Sequence, residues 1–389
     1  MNPVAMAINI FVLSVTVSQF VVAQGFNLES RSQETKLNLA VQIVYDRKFE
    51  NISKFRENGR YLDYFTTFLN IVELWFQDIE KLEIKLTLHA ATEGPEKDMD
   101  HEPDEDEVSE ETTTDQTYEE SVESRNDASD EEDEEQEESE EIDKTITPYK
   151  PCRNGSVTMK KFKYHVATQG NVYEGADVVF FVTGHCVHLE VGTNEEWKGL
   201  PPSESLCTNS SVGVVHDDGK TFNGVRSAAL QLALILGARK DDETGCKSQG
   251  GYLLSNMTGG SRSELSNCSK EGISEFCKKK SDEKCLKGPG TPAMYNDNLL
   301  AAQFYAAKGT DECQVYSSDS NSITKCEISN ESDLKHQYQA TCKVTCCNGT
   351  DQTEQGYVTN SADGTQCETE KICLSGNCIR DPRRKTPKN

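Results

Sequence analysis

The sequence predicts an α/β fold followed by a small disulfide-rich module, and three observations carry that prediction. A strand pattern, a long helical pattern and a second strand pattern succeed one another after residue 37. A continuous apolar run and a second apolar helix follow them. Eight of the fifteen cysteines then fall in residues 313–389, a stretch too poor in apolar side chains to hold a core without staples.

Residues 1–23 come first. Pro3 to Ala23 are mostly apolar and end in Val21-Val22-Ala23, the pattern of a secretory signal peptide, here without a basic n-region. Asn9, Ser14, Thr16, Ser18 and Gln19 dilute the run and argue against a membrane anchor. Seven Asn-x-Ser/Thr sequons, at Asn51, Asn154, Asn209, Asn256, Asn267, Asn330 and Asn348, fit an exported glycoprotein. Cysteines in that compartment are expected as disulfides, so the chain is expected to be secreted and extracellular.

Leu39, Val41, Ile43 and Tyr45 alternate as a half-buried strand. Leu62, Phe65, Leu69, Val72, Trp75, Phe76 and Ile79 keep helical spacing, and Leu82, Ile84, Leu86 and Leu88 return to period two. An acidic tract interrupts the fold directly afterwards. Residues 93–145 hold 27 Asp/Glu against 3 Lys/Arg, a net charge of −24 within a chain total of −26. So many like charges with so few apolar groups cannot offset ordering entropy, and the tract is expected to be disordered. Tyr118, between Asp115 and Glu119-Glu120, is a sulfation candidate. The rest of the chain is almost neutral, which excludes a general nucleic-acid binder.

Met159 to Thr168 reads as a short helix, and Ala176 to Val182 as a central strand buried on both faces. Val225, Ala228, Ala229, Leu232 and Leu236 mark a helix stopped by Gly237. His185-Cys186-Val187-His188, with His216, is the one histidine cluster. A strand-to-loop junction with a disulfide cysteine is favoured there over a metal site. His216-Asp217-Asp218 reads as a solvated turn. No Gly-x-Ser-x-Gly elbow occurs.

The helix Ala229 to Gly237 and Asp241 are followed by Cys246, Gly251-Tyr252-Leu253-Leu254-Ser255, Cys268-Ser269, Ile273 to Phe276 and Cys285. With the upstream strand and Cys207, this series resembles the reprolysin (adamalysin-like) branch of the metzincin zinc proteases, most closely the secreted salivary metalloproteases of ticks. The resemblance spans residues 37–290 and implies a metzincin-like domain carrying the acidic insertion. The family motif HExxHxxGxxHD keeps its glycine as Gly237 and its acid as Asp241. Its zinc histidines fall on Leu230, Leu234 and Lys240, its catalytic glutamate on Gln231, and its Met-turn methionine on Leu254. Leucine has no lone pair for zinc, lysine brings a positive charge, and glutamine cannot act as a general base. The zinc of the family is therefore expected to be lost, and with it the activated water.

The resemblance also implies pairing of Cys207 with Cys285, and Cys246 is expected to pair with Cys268. Seven cysteines lie in residues 152–285, so an odd thiol belongs there, with Cys152, Cys186 and Cys277 as candidates. Proteases of the family carry a long prodomain, whereas here the first strand closely follows the signal peptide, as expected of a chain with no activity to hold latent. Asp363-Gly364-Thr365-Gln366-Cys367, with Cys373 and Cys378, looks like the cysteine-rich module (313–378) that helps such proteases select targets. Residues 379–389 read as a basic flexible tail.

Three functions follow as expectations. The first is a pseudo-enzyme that binds an extracellular host protein of haemostasis, matrix or immunity, with the acidic tract suited to a basic partner. The alternative is an active zinc metalloendopeptidase with non-standard ligands. The third is an acidic polyelectrolyte carried on folded domains. Neither nucleic acid nor membrane is an expected partner.

Overall fold

The computed structural model describes residues 34–56, 61–94, 152–191, 197–241, 250–255, 260–281, 283, 298–317, 323–326, 340–348 and 355–384. The signal peptide, nearly all of the acidic tract with Tyr118, and Cys246, Cys285, Asn256 and Asn330 lie outside the described residues.

The chain runs through β1 (Thr35–Tyr45), α1 (Arg47–Ile52), α2 (Leu62–Leu74), β2 (Leu82–Glu93), β3 (Arg153–Asn154), α3 (Gly155–Thr168) and β4 (Val178–Thr183). Three two-residue strands, β5 (Val187–His188), β6 (Glu190–Val191) and β7 (Trp197–Lys198), precede β8 (Val212–His216), α4 (Val225–Ile235) and α5 (Asn267–Lys280). Then come α6 (Ala301–Ala307), α7 (Glu312–Tyr316), β9 (Ile323–Lys325), β10 (Lys343–Asn348), β11 (Gln355–Asn360), β12 (Gln366–Glu368), β13 (Lys371–Leu374) and β14 (Asn377–Arg380).

Four strands form an all-parallel sheet in the order β2-β1-β4-β8. A parallel sheet needs both faces covered, and the pleat assigns alternate residues to the two covers. Val41, Ile43, Tyr45, Phe180 and Val182 face the main core with residues of α2 and α4, such as Phe65, Phe68 and Leu232. Val44, Phe181, Val212 and Val214 pack with Met159 and Phe162 of α3 in a second cluster. The half-buried reading of β1 is corrected by that second cover: from Val41 to Tyr45 every residue is buried, because α3 closes the face expected to meet water.

Boundaries shift for local reasons. The helix expected to reach Ile79 ends at Leu74. Trp75, Phe76 and Gln77 continue in tighter turns, their N–H groups bonding carbonyls three residues back, so the apolar spacing persists after the helix stops. α3 starts four residues before the expected Met159. Asn154 Oδ1 accepts from the N–H groups of Ser156 (2.9 Å) and Val157 (3.1 Å), which otherwise have no intrahelical partner.

The C-terminal region is two three-stranded sheets, β11-β10-β9 and β12-β13-β14. Its eight cysteines pair among themselves as Cys313–Cys346, Cys326–Cys347, Cys342–Cys373 and Cys367–Cys378. It is not an independent globule. Leu300, Phe304 and Tyr305 on and before α6, and Ile372 and Leu374 on β13, belong to the main core. Ser263 Oγ donates to Leu374 O at 2.6 Å across the same junction. The tail begins later than residue 379, since β14 runs to Arg380 and the buried Asp381 accepts from the Arg383 guanidinium twice at 2.9 Å.

Candidate functional site

The helix α4 carries the positions singled out by the motif, and from Ala228 to Ile235 every residue of it is buried, Arg226 and Ser227 in the first turn being half-buried. Leu230 is 2 % and Leu234 5 % exposed, and both belong to the main hydrophobic core. A helix whose last eight residues are all buried, and all but one of them apolar, packs there as a core helix, not as the floor of an open cleft. Its C-terminal carbonyls are taken up by the segment that crosses it: Glu204 N–H donates to Leu234 O (3.0 Å) and Leu206 N–H to Ile235 O (3.1 Å). Gly237 then closes the helix at φ +95°, and a Cβ there would lie 2.5 Å from that of Phe276 on α5. Backbone freedom and the close helix contact both require glycine at this point.

Gln231, at the position of the catalytic glutamate, is fully buried and committed elsewhere. Its Nε2 donates to Val214 O at 2.6 Å and its Oε1 accepts from Val214 N–H at 2.9 Å. Nε2 also reaches Ser227 Oγ at 3.2 Å. The amide thus completes the backbone of β8, on the edge that β4 does not pair. A Cβ at residue 213 would lie 2.9 Å from Gln231 Oε1, so Gly213 makes room for the amide. Only an amide offers a donor and an acceptor together, and a carboxylate here would face Val214 O without a proton to share.

Asp241 is buried, and its Oδ1 accepts from the hydroxyls of Ser266 and Ser269. Its N–H donates to Leu254 O at 3.2 Å, and Leu254 is itself in the core. The aspartate and the Met-turn position therefore touch, while Lys240 beside them is half-buried. These side chains do not fit a zinc ion: two of the three ligand positions are apolar and buried, and the base position is an amide bonded to a strand.

Other groups complete the site. Asp217, read from sequence as part of a solvated turn, is fully buried. Its Oδ1 accepts from Tyr64 hydroxyl (2.7 Å) and Gly219 N–H (2.8 Å), and its Oδ2 from Gly224 N–H (2.8 Å). This ties the loop between β8 and α4 to α2. Burial first, and Asp218 second, push the Asp217 carboxyl up to about 6. Sequence spacing offers no signal for this contact, because Tyr64 and Asp217 are far apart in the chain.

Among the described residues, three ligand-type atoms converge only at Cys342, Cys367 and Cys378, which are bonded in disulfides. His185, His188 and His216 form no such group; His216 Nδ1 lies 3.2 Å from Thr183 O, and Cys186 pairs with Cys152. That bond leaves Cys277 as the free cysteine among the described residues, its thiol pushed up to about 12 by burial. Cys207 and Cys268 are both disulfide-bonded, and their expected partners Cys285 and Cys246 lie outside the described residues. The sequons at Asn51, Asn154, Asn209 and Asn267 are all exposed.

A cavity of about 350 Å³ lies away from α4, between the end of α2, the start of β2 and Arg383. Its Glu73 is already satisfied by Lys85 Nζ (2.6 Å), Gln77 Nε2 (3.0 Å) and Leu86 N–H (3.0 Å). No described helix is long and apolar enough to cross a membrane.

No family model matches the chain, and no curated protein matches its sequence. One similar solved structure is described as the "Structure of a chaperone-substrate complex", with TM-score 0.35 and 10 % identity. The likeness covers 64 % of this chain and 39 % of that one, so this chain spans well under half of that structure's length. At that level it carries no argument about fold or function.

Proposed function

We propose that this protein is a secreted, reprolysin-like metalloprotease homologue without zinc chemistry, which acts by binding an extracellular protein. The order of the motif supports the family reading: an apolar helix, Gly237, Asp241, the turn at Leu254 and the serine pair that receives Asp241. The observation that carries the loss of activity is Gln231. Its amide is spent on the Val214 peptide, and the leucines flanking it lie in the hydrophobic core. Without ligands or base, what remains useful is surface: a four-disulfide C-terminal module fused to the core, and an acidic tract of net charge −24 that suits a basic partner.

Incubating the secreted protein with casein and fibrinogen, and in parallel using it to capture plasma and matrix proteins, tests the proposal. Saturable capture of a target that stays uncleaved is expected. Chelator-sensitive cleavage of either substrate would instead favour an active endopeptidase with non-standard ligands.

A further inference from the structure

α3 buries one side against the sheet and exposes a basic one. Met159 and Phe162 are buried against the sheet, while Lys160, Lys163 and Tyr164 point to solvent, Tyr164 being 72 % exposed. Lys161 is half-buried beside them. Some lysines elsewhere have carboxylate partners, as Lys36 with Glu83, Lys270 with Asp78, Lys308 with Asp63 and Lys325 with Glu312, while others, such as Lys54 and Lys343, are held by carbonyl or amide oxygens. Among the described residues, Lys160, Lys161 and Lys163 have none. Composition reinforces the pattern. From Ile146 to Tyr173 the chain has no Asp or Glu at all but five Lys/Arg, although it carries 66 acidic residues in total.

We propose that this basic face of α3 is a docking surface for the chain's own acidic tract, residues 95–145. The connection of the tract to the fold argues for it. It departs after Gly94, whose N–H bonds Tyr45 O (2.8 Å) at the carboxyl end of β1. It returns at Cys152, which is bonded to Cys186 just past the carboxyl end of β4, and α3 begins three residues later. Extended chain covers at most about 3.5 Å per residue, so Glu140, Glu141 and Asp143 can reach the first turns of α3 through the segment that joins them. Such a short tether holds the carboxylates near the lysines at an effective concentration of roughly millimolar. An exposed lysine–carboxylate pair contributes only about 0–1 kcal/mol, so the contact is a shifting set of pairs that salt disperses. An external polyanion would have to displace the tract first, and a basic partner of the tract would release α3. The inference is independent of whether the protein cleaves anything.

Zero-length carbodiimide coupling of the full secreted chain in dilute solution, followed by peptide mapping, tests it. Links from Lys160, Lys161 and Lys163 to acidic residues of 95–145 are expected in the monomer, falling about tenfold between roughly 0.02 M and 0.5 M salt. Links spread evenly between these lysines and Lys278, Lys279 and Lys280 of α5, or none to α3, would overturn it. Retention on heparin gives a second readout. Deleting residues 95–145 should raise it, and adding Lys160→Ala, Lys161→Ala and Lys163→Ala should abolish the gain. Retention unchanged by the deletion would mean that the tract does not cover this face.

Discussion

α4 and α3 lie on opposite faces of one parallel sheet, and they divide packing and chemistry in opposite ways. α4 occupies the place where the motif leads one to expect metal ligands and a base. From Ala228 to Ile235 it is buried, and the one polar side chain in that stretch, Gln231, is consumed by the Val214 backbone. α3 belongs to no motif, yet it carries three lysines with no carboxylate partner among the described residues and an exposed tyrosine. Where the resemblance leads one to expect metal ligands, α4 serves as core. The lysine-bearing surface lies on the other face of the sheet.

The comparison breaks first if α4 tolerates its missing residues. Introducing Leu230→His and Leu234→His together should destabilise the protein by about 4 kcal/mol or more, since two methyl-rich side chains leave the core and two polar rings enter it. Urea unfolding followed by circular dichroism measures this; a variant as stable as the parent would mean that α4 still borders open space. Removing Cys342–Cys373, which closes a separation of 31 residues, should cost roughly 3–4 kcal/mol on the chain-entropy model. Because Leu374 sits in the main core beside Cys373, one unfolding transition is expected, not two. Two separated transitions in a calorimetric scan would detach the module from the core.

The strand–helix–strand opening, α4 and its glycine stop were legible because each rests on apolar spacing or a single backbone requirement. The tail's disulfide staples were legible from cysteine density. The second cover on β1 was not, because α3 lies more than a hundred residues further along and the alternation of Leu39 to Tyr45 describes only one face. Asp217 looked like a turn residue for a similar reason: the Tyr64 hydroxyl that lets it be buried is distant in sequence. The burial of Leu230 and Leu234 follows from the apolar run that holds them. The bonding of Gln231 to β8 was not legible, since β8 is only five residues long and carries a glycine, Gly213, as its second residue.

Gln231→Glu sharpens the comparison at one residue. The carboxylate loses the bond to Val214 O and stays buried, so a cost of about 2–3 kcal/mol is expected, with no protease activity gained. Equal stability of the variant at pH 7 would contradict the paired amide bonds.

Asp217 gives a pH signature on the α4 side alone. Its folded-state value of about 6 stands above the unfolded 3.8, so the native state holds the proton more tightly. The stability this contributes is fully present below about pH 3.8 and is lost as pH rises through about 6, on the order of 3 kcal/mol. Asp217→Asn should remove that slope, apart from a constant offset for the lost acceptor at Gly224 N–H. Parallel pH profiles of urea midpoint for the two proteins would refute the raised value. Smallest of all, Lys160→Ala, Lys161→Ala and Lys163→Ala should each change stability by no more than about 0.5 kcal/mol, as exposed or half-buried groups with no carboxylate partner among the described residues. A larger loss in thermal melts would show that α3 uses its lysines for folding.

We propose that α4 is packed core that holds no zinc, and metal content tests this most directly. The secreted protein, produced with zinc supplied and then exchanged into metal-free buffer, is assayed by elemental analysis alongside Leu230→Ala as a control for folded core. The account predicts zinc far below stoichiometric in both. Roughly one zinc per chain in the parent protein, removed by a chelator, would contradict it.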